Sequence, residues 1–522
     1  MDSSPPRLCI SLCESTVAAL EGAISAASEV SNLLEVRLDC LDRSELQNRS
    51  SQITKLFEQS RAEFILTFRS PQSDRQDVDD ETRRAFWSDA IFSNSLFDVD
   101  LDLAEKLNVT ESPIALPIDW RRTICSYHDF SGVPAHLDQI YDRLAATPAR
   151  ILKVAVQADD AIDCLPVFNL LERARAEGRE MIAIAMGVPG VATRILGPSR
   201  GGYLTYAPLK TESATGPGQL SASELKRVYR FDKIDRQTKV FGLIGLPISH
   251  SLSPYMHNAA FAAAGTNAVY VPFEVRDVHA FLKHMIHPRT RELSWNIRGL
   301  SVTAPHKFAV MDSLDWIEPT ALEVGAVNTI LVDDNELHGY NTDAAGFIKP
   351  LQAALGDLRG ARCAVIGAGG SASAALFSLK SAGAAAAIFS RDPAKAREIS
   401  ERFGVDSMML EDASFAGFDV VVNATPAGTV GPLVNETPAS AFQLRGARLA
   451  YDLVYNPSVT AFLREATEAG CGTLGGLAML VGQAEEQFEL WMGQAPGEGV
   501  MNEAAQRRLS TGSEIWNLES EI

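Results

Sequence analysis

Short apolar runs recur at a steady interval along the first two fifths of the chain. RLCISL starts at 7, LLEVRLD at 33, EFILTFRS at 63, LFDVDLD at 96, RTICSYHD at 122, RILKVAVQ at 150, MIAIAMG at 181 and YLTYAP at 203. Each has strand length, and the gaps hold helix-like stretches such as STVAALEGAISAASEV and VFNLLERARAEG, whose apolar positions return with helical spacing. Eight strand-helix alternations with starts 22 to 33 residues apart predict an N-terminal (β/α)8 TIM barrel.

The pattern changes after Gln219. SASELKRVYRFDKIDRQTK (221–239) is dense in charge, helical at first and then irregular, before VFGLIG opens a second α/β region at 240. Further on, CAVIGAGGSASAALFSLKSAG (363–383) followed by AAAIFSRD reads as strand, glycine-rich turn, small-residue helix and strand, the opening of a Rossmann unit. The expected organisation is a barrel over 1–222, a charged linker over 223–238, a smaller α/β domain over 239–345 completed by C-terminal helices at about 477–495, a Rossmann domain over 346–476 and a polar tail over 496–522.

Composition narrows the function classes. Forty-six per cent apolar and 22% charged residues suit an ordinary folded protein. A net charge of −19 repels phosphate backbones and anionic lipid, which argues against nucleic acid or membrane as partners and leaves small molecules held in local basic pockets. Seven cysteines lack CxxC or Cys/His spacing, and Cys9, Cys40, Cys125 and Cys363 fall in apolar strand-like runs. That predicts a reduced, cytoplasmic protein with neither disulfides nor structural zinc. No run of about 18 apolar residues exists to span a bilayer, and the six residues before the first strand leave no room for a signal or transit peptide. The histidines do not cluster like ligands, so no metal is expected.

Polar residues emerge at the C-terminal ends of the barrel strands, where such folds place their chemistry: Glu35, Arg37, Arg69, Asp100, His128 and Lys153. Lys153 stands out because ILKVAV sets an ammonium inside an apolar strand. Burial, and cations such as Arg37 and Arg69, would favour a free amine able to attack a carbonyl as a Schiff-base nucleophile, with His128 moving protons. EVRLD (35–39), FR (68–69), YHDF (127–130), Lys153 and GPGQ (216–219) resemble type I 3-dehydroquinate dehydratase over about 7–222. The resemblance implies that Lys153 forms the imine and His128 is the general acid/base, and that Glu35, Arg37, Arg69, Arg194 and Gln219 hold the substrate's carboxylate and hydroxyls. Asp100 stands where the family usually has a glutamate that orients the histidine. Thr215 and Gly216 stand where serine and alanine precede PGQ.

In the second half, SHSLSPYMHN (249–258), GLSVTAPHK (299–307), GAVNT (325–329) and GYNTDAAG (339–346) cluster hydroxyls, amides and one lysine. Such groups suit a small polyhydroxylated acid, and a Lys307–Asp343 pair could relay a proton as carbonyl and alcohol interconvert. At the end of the strand after the glycine-rich turn, where an NAD site usually has Asp or Glu, the chain reads Ser390-Arg391 with Lys395 following. A guanidinium suits a 2′-phosphate and points to NADP, with Asp392 opposing. With VVNATPAG (421–428), DLVYNP (452–457) and GGLAMLVGQAEEQF (475–488), these segments resemble shikimate dehydrogenase over about 240–495. The resemblance makes the smaller domain the shikimate-binding one. It implies Ser251 and Ser253 at the shikimate carboxylate, Thr303, Asn328, Asp343, Tyr455 and Gln483 around the ring, and Lys307 and Asp343 at the chemistry. Gly367, Gly369, Gly370, Ser371, Ser390, Arg391, Lys395, Asn423, Thr425, Gly476 and Met479 would contact NADP. Departures from the family are Ser301 for asparagine, Ser373 for arginine, and Ser-Arg-Asp for Asn-Arg-Thr at 390–392.

Joined, the two resemblances imply one chain that dehydrates 3-dehydroquinate to 3-dehydroshikimate and reduces it to shikimate, acting as a monomer or a dimer. A quinate/shikimate dehydrogenase using NAD and a metabolite-sensing regulator without turnover are the alternatives. Retention of Lys153, His128, Lys307 and Asp343 speaks against the regulator.

Overall fold

The computed structural model describes residues 6–48, 50–69, 95–108 and 119–515. Its first eight strands are β1 Leu8–Leu12, β2 Leu33–Arg37, β3 Glu63–Thr67, β4 Ser95–Asp100, β5 Thr123–Asp129, β6 Ile151–Gln157, β7 Glu180–Met186 and β8 Thr205–Ala207. They pair in the parallel order β7-β6-β5-β4-β3-β2-β1-β8. A parallel bridge from Met181 to Gly202 links β7 to the segment entering β8, so all eight predicted strands are present and the barrel closes.

The alternation of a strand explains the layering inside. Cys9, Leu33, Ile65, Ile124, Ile151 and Ile182 form an apolar floor. Two residues on, the same faces carry Ser11, Glu35, Thr67, Ser126 and Lys153, joined by Asp98 of β4, and the next step reaches Arg37, Arg69, Asp100 and His128. Outside, the helix Cys164–Ala176 buries Val167, Phe168, Leu170, Leu171 and Ala174 and turns Glu172, Arg173 and Arg175 outward, the stripe its sequence period predicts.

The chain divides into two compact units. The first comprises 1–238 with 271–277 and 292–296; the second comprises 239–270, 278–291 and 297–522. The segment expected to be a charged linker belongs to the first unit. Its charges alternate with apolar residues, and Leu225, Tyr229, Phe231 and Ile234 are buried along the helix Ala222–Arg227 and the turn Phe231–Lys233. The expected polar tail is likewise a helix, Val500–Ile515, with Met501 and Ala505 fully buried in the core around Phe261 and Phe488; residues 516–522 lie outside the described residues.

One expectation is overturned. Cys13 and Cys40 form a disulfide, their Cα atoms 5.3 Å apart. The strand β2 stops at Arg37, and a single helical turn, Leu38–Cys40, brings Cys40 beside the residue following β1. Cys9, Cys125, Cys164, Cys363 and Cys471 are free and buried.

From residue 239 onward the chain forms two six-stranded sheets. The first runs β10-β9-β11-β13-β14-β12, with β9 Lys239–Gly245, β10 Ala268–Glu274, β11 Ile297–Val302, β12 Trp316–Ile317, β13 Thr329–Val332 and β14 Leu337–Tyr340. The other is parallel throughout, in the order β17-β16-β15-β18-β19-β20, with β15 Arg362–Ile366, β16 Ala385–Ser390, β17 Asp406–Met409, β18 Val420–Asn423, β19 Leu449–Asp452 and β20 Gly472–Leu474. That is the doubly wound order, and its direction reverses between β15 and β18, where such sheets bind ligands. No helix among the described residues is long and apolar enough to cross a membrane.

Candidate active sites

At the C-terminal end of the barrel strands lies a cavity of about 930 Å³ lined by Glu35, Arg37, Arg69, Asp100, His128, Lys153, Arg194, Thr215 and Gln219. Every barrel residue singled out from the sequence therefore meets in one place. Lys153 is buried, with its Nζ 2.6 Å from Asp98 Oδ2, 3.3 Å from the Tyr206 hydroxyl and 3.9 Å from Glu35 Oε1. This corrects the expected surroundings, in which arginines flanked the amine: its nearest charged neighbours are carboxylates. Burial alone would raise the Asp98 carboxyl, but the charges of Lys153 and Arg69 overcome it and hold it below the ordinary value. Glu35 is fixed by Ser11 Oγ at 2.7 Å and Thr67 Oγ1 at 2.8 Å.

The cations gather around His128 instead. Burial, then Arg69, Lys153 and Arg37, push its imidazole well below the usual range, so the ring is neutral, and its buried Nε2 has no hydrogen-bond partner. Arg37 is paired with Asp39, at 2.9 and 2.5 Å. Arg194 donates to Pro217 O while its Nε has no partner, and burial lowers its guanidinium to about 10. Thr215 N donates to Gln219 Oε1 at 2.9 Å. That loop is pinned by Gly218, at φ +67°, where a Cβ would fall 2.1 Å from Gly187 O; glycine is needed for both reasons. Asp98 and Tyr206 were missed by sequence reading. Asp98 was legible: in LFDVDLD it shares a strand face with Asp100, one step deeper.

In the second unit, Lys307 Nζ meets Asp343 Oδ2 at 2.5 Å and Ser371 Oγ at 3.4 Å. Asp343 opens the helix Asp343–Leu355, and its Oδ1 accepts from Asn328 Nδ2 at 2.8 Å; the same amide lies 3.4 Å from Gln483 Oε1. Five predicted residues thus form one cluster. Ser251 Oγ accepts from Ser253 N at 3.2 Å at the start of the helix Ser253–Ala263, and the Tyr455 phenol bonds Ser251. Thr303 follows β11, its N–H bonded to Ile244 O. Ser301 is turned inward, between the Tyr270 hydroxyl and Gln487 Oε1, each at 2.7 Å.

The glycine-rich turn joins β15 to the helix Gly370–Ser381. Gly367 has φ +121° and faces Ala424 O, while a Cβ at Gly370 would touch Lys307 Cδ at 3.0 Å, so these positions let backbone approach closely. A cavity of about 1170 Å³ opens beside the turn and reaches Lys395. Ser390 Oγ accepts from Asp392 N, and Arg391 is exposed. Asp392 caps the helix Pro393–Phe403, its Oδ1 accepting from Ala394 N and Lys395 N. Gly476 precedes the helix Leu477–Met492. Asn423 is fully buried, its amide between Asp452 and Ala427 O and its oxygen on Thr425 N and Oγ1. Met479 lies in the core around Phe347 and Tyr451. The side chains of these two predicted cofactor residues therefore point into the protein.

Comparison with known proteins finds matches for both parts of the chain. The family model of type I 3-dehydroquinase matches residues 8–236, that of the shikimate dehydrogenase substrate-binding domain 243–330, and that of the shikimate 5′-dehydrogenase C-terminal domain 476–506. An NADP(+) shikimate dehydrogenase from Moorella thermoacetica is 38% identical, over 54% of this chain and 97% of its own. A solved shikimate 5-dehydrogenase from Thermus thermophilus, in complex with NADP(H) and shikimate, is 38% identical over 51% of this chain and 98% of its own, with a TM-score of 0.45. The bifunctional 3-dehydroquinate dehydratase/shikimate dehydrogenase of Arabidopsis thaliana, described as chloroplastic, is 34% identical over 95% of this chain and 83% of its own. With both parts aligned end to end in a single relative, the chain belongs to the family of bifunctional 3-dehydroquinate dehydratase/shikimate dehydrogenases.

Proposed function

We propose that the first unit dehydrates 3-dehydroquinate to 3-dehydroshikimate through an imine on Lys153, and that the second reduces this product to shikimate with NADP as cofactor. The chain is an enzyme of the shikimate pathway, both a lyase and an oxidoreductase. The observation that carries the reading is the meeting, in one cavity, of a buried Lys153 and a neutral His128 whose buried Nε2 has no hydrogen-bond partner. The Lys153 amine adds to the substrate ketone and water leaves. The imine then acts as electron sink while His128 takes the proton α to it and returns it to the β-hydroxyl, which departs as water, and hydrolysis of the imine releases 3-dehydroshikimate and restores Lys153. Arg69 and Arg194 face the cavity with nitrogens to spare and would hold the carboxylate; Glu35, Arg37, Asp100, Thr215 and Gln219 complete that pocket.

In the second unit the cofactor supplies the hydride. Lys307 and Asp343 hold and move the proton at the substrate's carbonyl oxygen, with Ser251 and Ser253 on the carboxylate and Thr303, Asn328, Tyr455 and Gln483 around the ring. The glycine cradle at 367–370 and the N-terminus of the helix it opens fit a pyrophosphate, and Arg391 and Lys395 fit a 2′-phosphate. Asp392 opposes that phosphate less than its charge suggests, because its carboxylate is turned onto two backbone N–H groups. Asn423, Thr425, Gly476 and Met479 shape the nucleotide floor through backbone. This reading keeps the chain in the cytoplasm, as a monomer or dimer, with the substrate domain over 239–345 and the Rossmann domain over 346–476.

The test is a coupled assay in which 3-dehydroquinate and NADPH are mixed with the full chain and NADPH absorbance is followed. Consumption is expected, borohydride should trap substrate on Lys153, and Lys153→Ala should stop the coupled reaction while 3-dehydroshikimate is still reduced. Trapping on another lysine, or an active Lys153→Ala chain, would overturn the imine assignment.

A further inference from the structure

Behind Asp343 runs a chain of buried side chains whose hydrogen-bond direction is forced at every link. Tyr270, Ser301, Gln487, Thr329 and Asn328 are each at most 4% exposed and sit on β10, β11, the helix Leu477–Met492 and the entry to β13. Two groups that can act in only one sense fix the amides. The Thr342 N–H only donates, so the atom of Asn328 it meets at 2.8 Å is the oxygen, which leaves Asn328 Nδ2 to donate to Asp343 Oδ1. The Asn328 carbonyl only accepts, so it faces Gln487 Nε2 at 3.2 Å, which turns Gln487 Oε1 toward Ser301.

The hydroxyls then have no choice. Thr329 Oγ1 accepts from Gln487 Nε2 at 2.9 Å and donates to Asn328 Oδ1 at 2.8 Å. Ser301 must donate to Gln487 Oε1, so its oxygen receives the Tyr270 hydroxyl proton, each link being 2.7 Å. Burial raises the Tyr270 phenol, which keeps it protonated and a donor, and Ser253 bonds the same hydroxyl. The donations from Tyr270 through Ser301, Gln487 and Thr329 therefore run toward Asn328, whose Nδ2 donates to Asp343 Oδ1 at 2.8 Å and also to Thr342 Oγ1 at 2.9 Å.

We infer that Thr329 and Gln487, with Tyr270 and Ser301 behind them, are positioning residues for the dehydrogenase reaction: together with the Thr342 N–H they hold the Asn328 amide as a donor to Asp343 Oδ1, and so aim Asp343 Oδ2 at Lys307. The inference rests on the proposed role of Lys307 and Asp343 as the proton-handling pair. None of the four needs to touch substrate. Such a chain favours one arrangement of the Asp343 carboxylate, and neighbouring hydrogen bonds in a low-dielectric interior reinforce one another.

The test uses the full chain. Thr329→Val removes the hydroxyl at constant shape, Thr329→Ser retains it, and Gln487→Met breaks the adjoining link in case the first variant folds poorly. Thr329→Val should lower kcat for shikimate oxidation by about tenfold, with KM for shikimate within about twofold, since small misplacements of reacting groups cost rate more than binding. The primary deuterium isotope effect from C–H-labelled shikimate should rise, and Thr329→Ser should restore both quantities. Asp343→Asn separates the two ideas. If it abolishes oxidation while Thr329→Val and Gln487→Met turn over like the parent, the positioning chain is wrong. If Asp343→Asn itself is active, the reading of the pair fails. A rise in KM at unchanged kcat and isotope effect would also overturn the inference, since it would assign the chain to substrate binding.

Discussion

The two lysine–aspartate pairs differ in how far they are removed from water. In the barrel, the side chains of Lys153 and Asp98 are 3% and 2% exposed; in the second unit, those of Lys307 and Asp343 are 14% and 7% exposed. The barrel pair lies below a rim of cations and beside a second carboxylate, Glu35. The other lies at the edge of the glycine-rich turn, its lysine within reach of Ser371. On the proposed roles the difference is chemical. An amine that forms an imine gains from a dry, enclosed site, whereas a pair that exchanges a proton with an alcohol must stay open to the substrate and to a nicotinamide ring.

Substituting the two aspartates is the strongest way to break the comparison. Asp98→Asn strips the closest counter-charge from a buried ammonium, and should cost about 3 to 5 kcal/mol of stability in the first unit. Asp343→Asn leaves Lys307 nearer to water and should cost less, about 1 to 3 kcal/mol, yet lower shikimate oxidation by roughly 10²- to 10⁴-fold. Urea unfolding followed by each activity measures both. Equal stability losses would show that the difference in burial has no energetic weight.

Acid sharpens the contrast next. Asp98 is held below its ordinary pKa, so its contribution to stability is present above the unfolded value and is lost only as pH falls through the folded one, below about 4. Asp452 behaves in the opposite sense. Burial raises it to about 6, against the hydrogen bonds from Thr460, Val454 N and Asn423. Its contribution is complete below the unfolded value of 3.8 and is lost as pH rises through about 6. From about pH 7 to pH 5 the second unit should therefore gain roughly 1 to 2 kcal/mol while the first holds steady. Asp452→Asn should flatten that response, and thermal unfolding monitored by each activity at a series of pH values would read it.

Much of this was legible in the sequence because alternation is a local property. The eight apolar runs became eight strands, and the residues expected at their C-terminal ends all line one cavity. What stayed hidden depended on where the chain turns. Cys40 reads as part of an apolar run, but the strand ends at Arg37 and the following turn delivers it to Cys13. The segment 223–238 reads as a linker because its charges outnumber its apolar residues; the few it has, such as Phe231, are placed with the period that buries them. Gln487 and Tyr270 escaped because each reads as an ordinary helix or strand residue until β10, β11 and the helix Leu477–Met492 are brought together.

The finest distinction between the sites lies in the charge around the base. His128 is neutral because burial, and then the charges of Arg69, Lys153 and Arg37, all disfavour its protonated form. Replacing Arg69 by glutamine removes one of those charges and leaves the burial, so the imidazole should move up. A base acts in its unprotonated form, so the acidic limb of the dehydratase kcat/KM profile should shift to higher pH. One pH unit is about 1.4 kcal/mol, and a single nearby charge in a partly hydrated site contributes about that or less, so the shift should be about 0.5 to 1 unit. KM for 3-dehydroquinate should also rise if Arg69 holds the carboxylate, but that changes the height of the profile and not the position of its limb. The dehydrogenase profile of the same variant serves as the control and should not move. An unmoved dehydratase limb would mean that burial alone keeps His128 neutral, and the ring of cations would then belong to substrate binding and not to tuning the base.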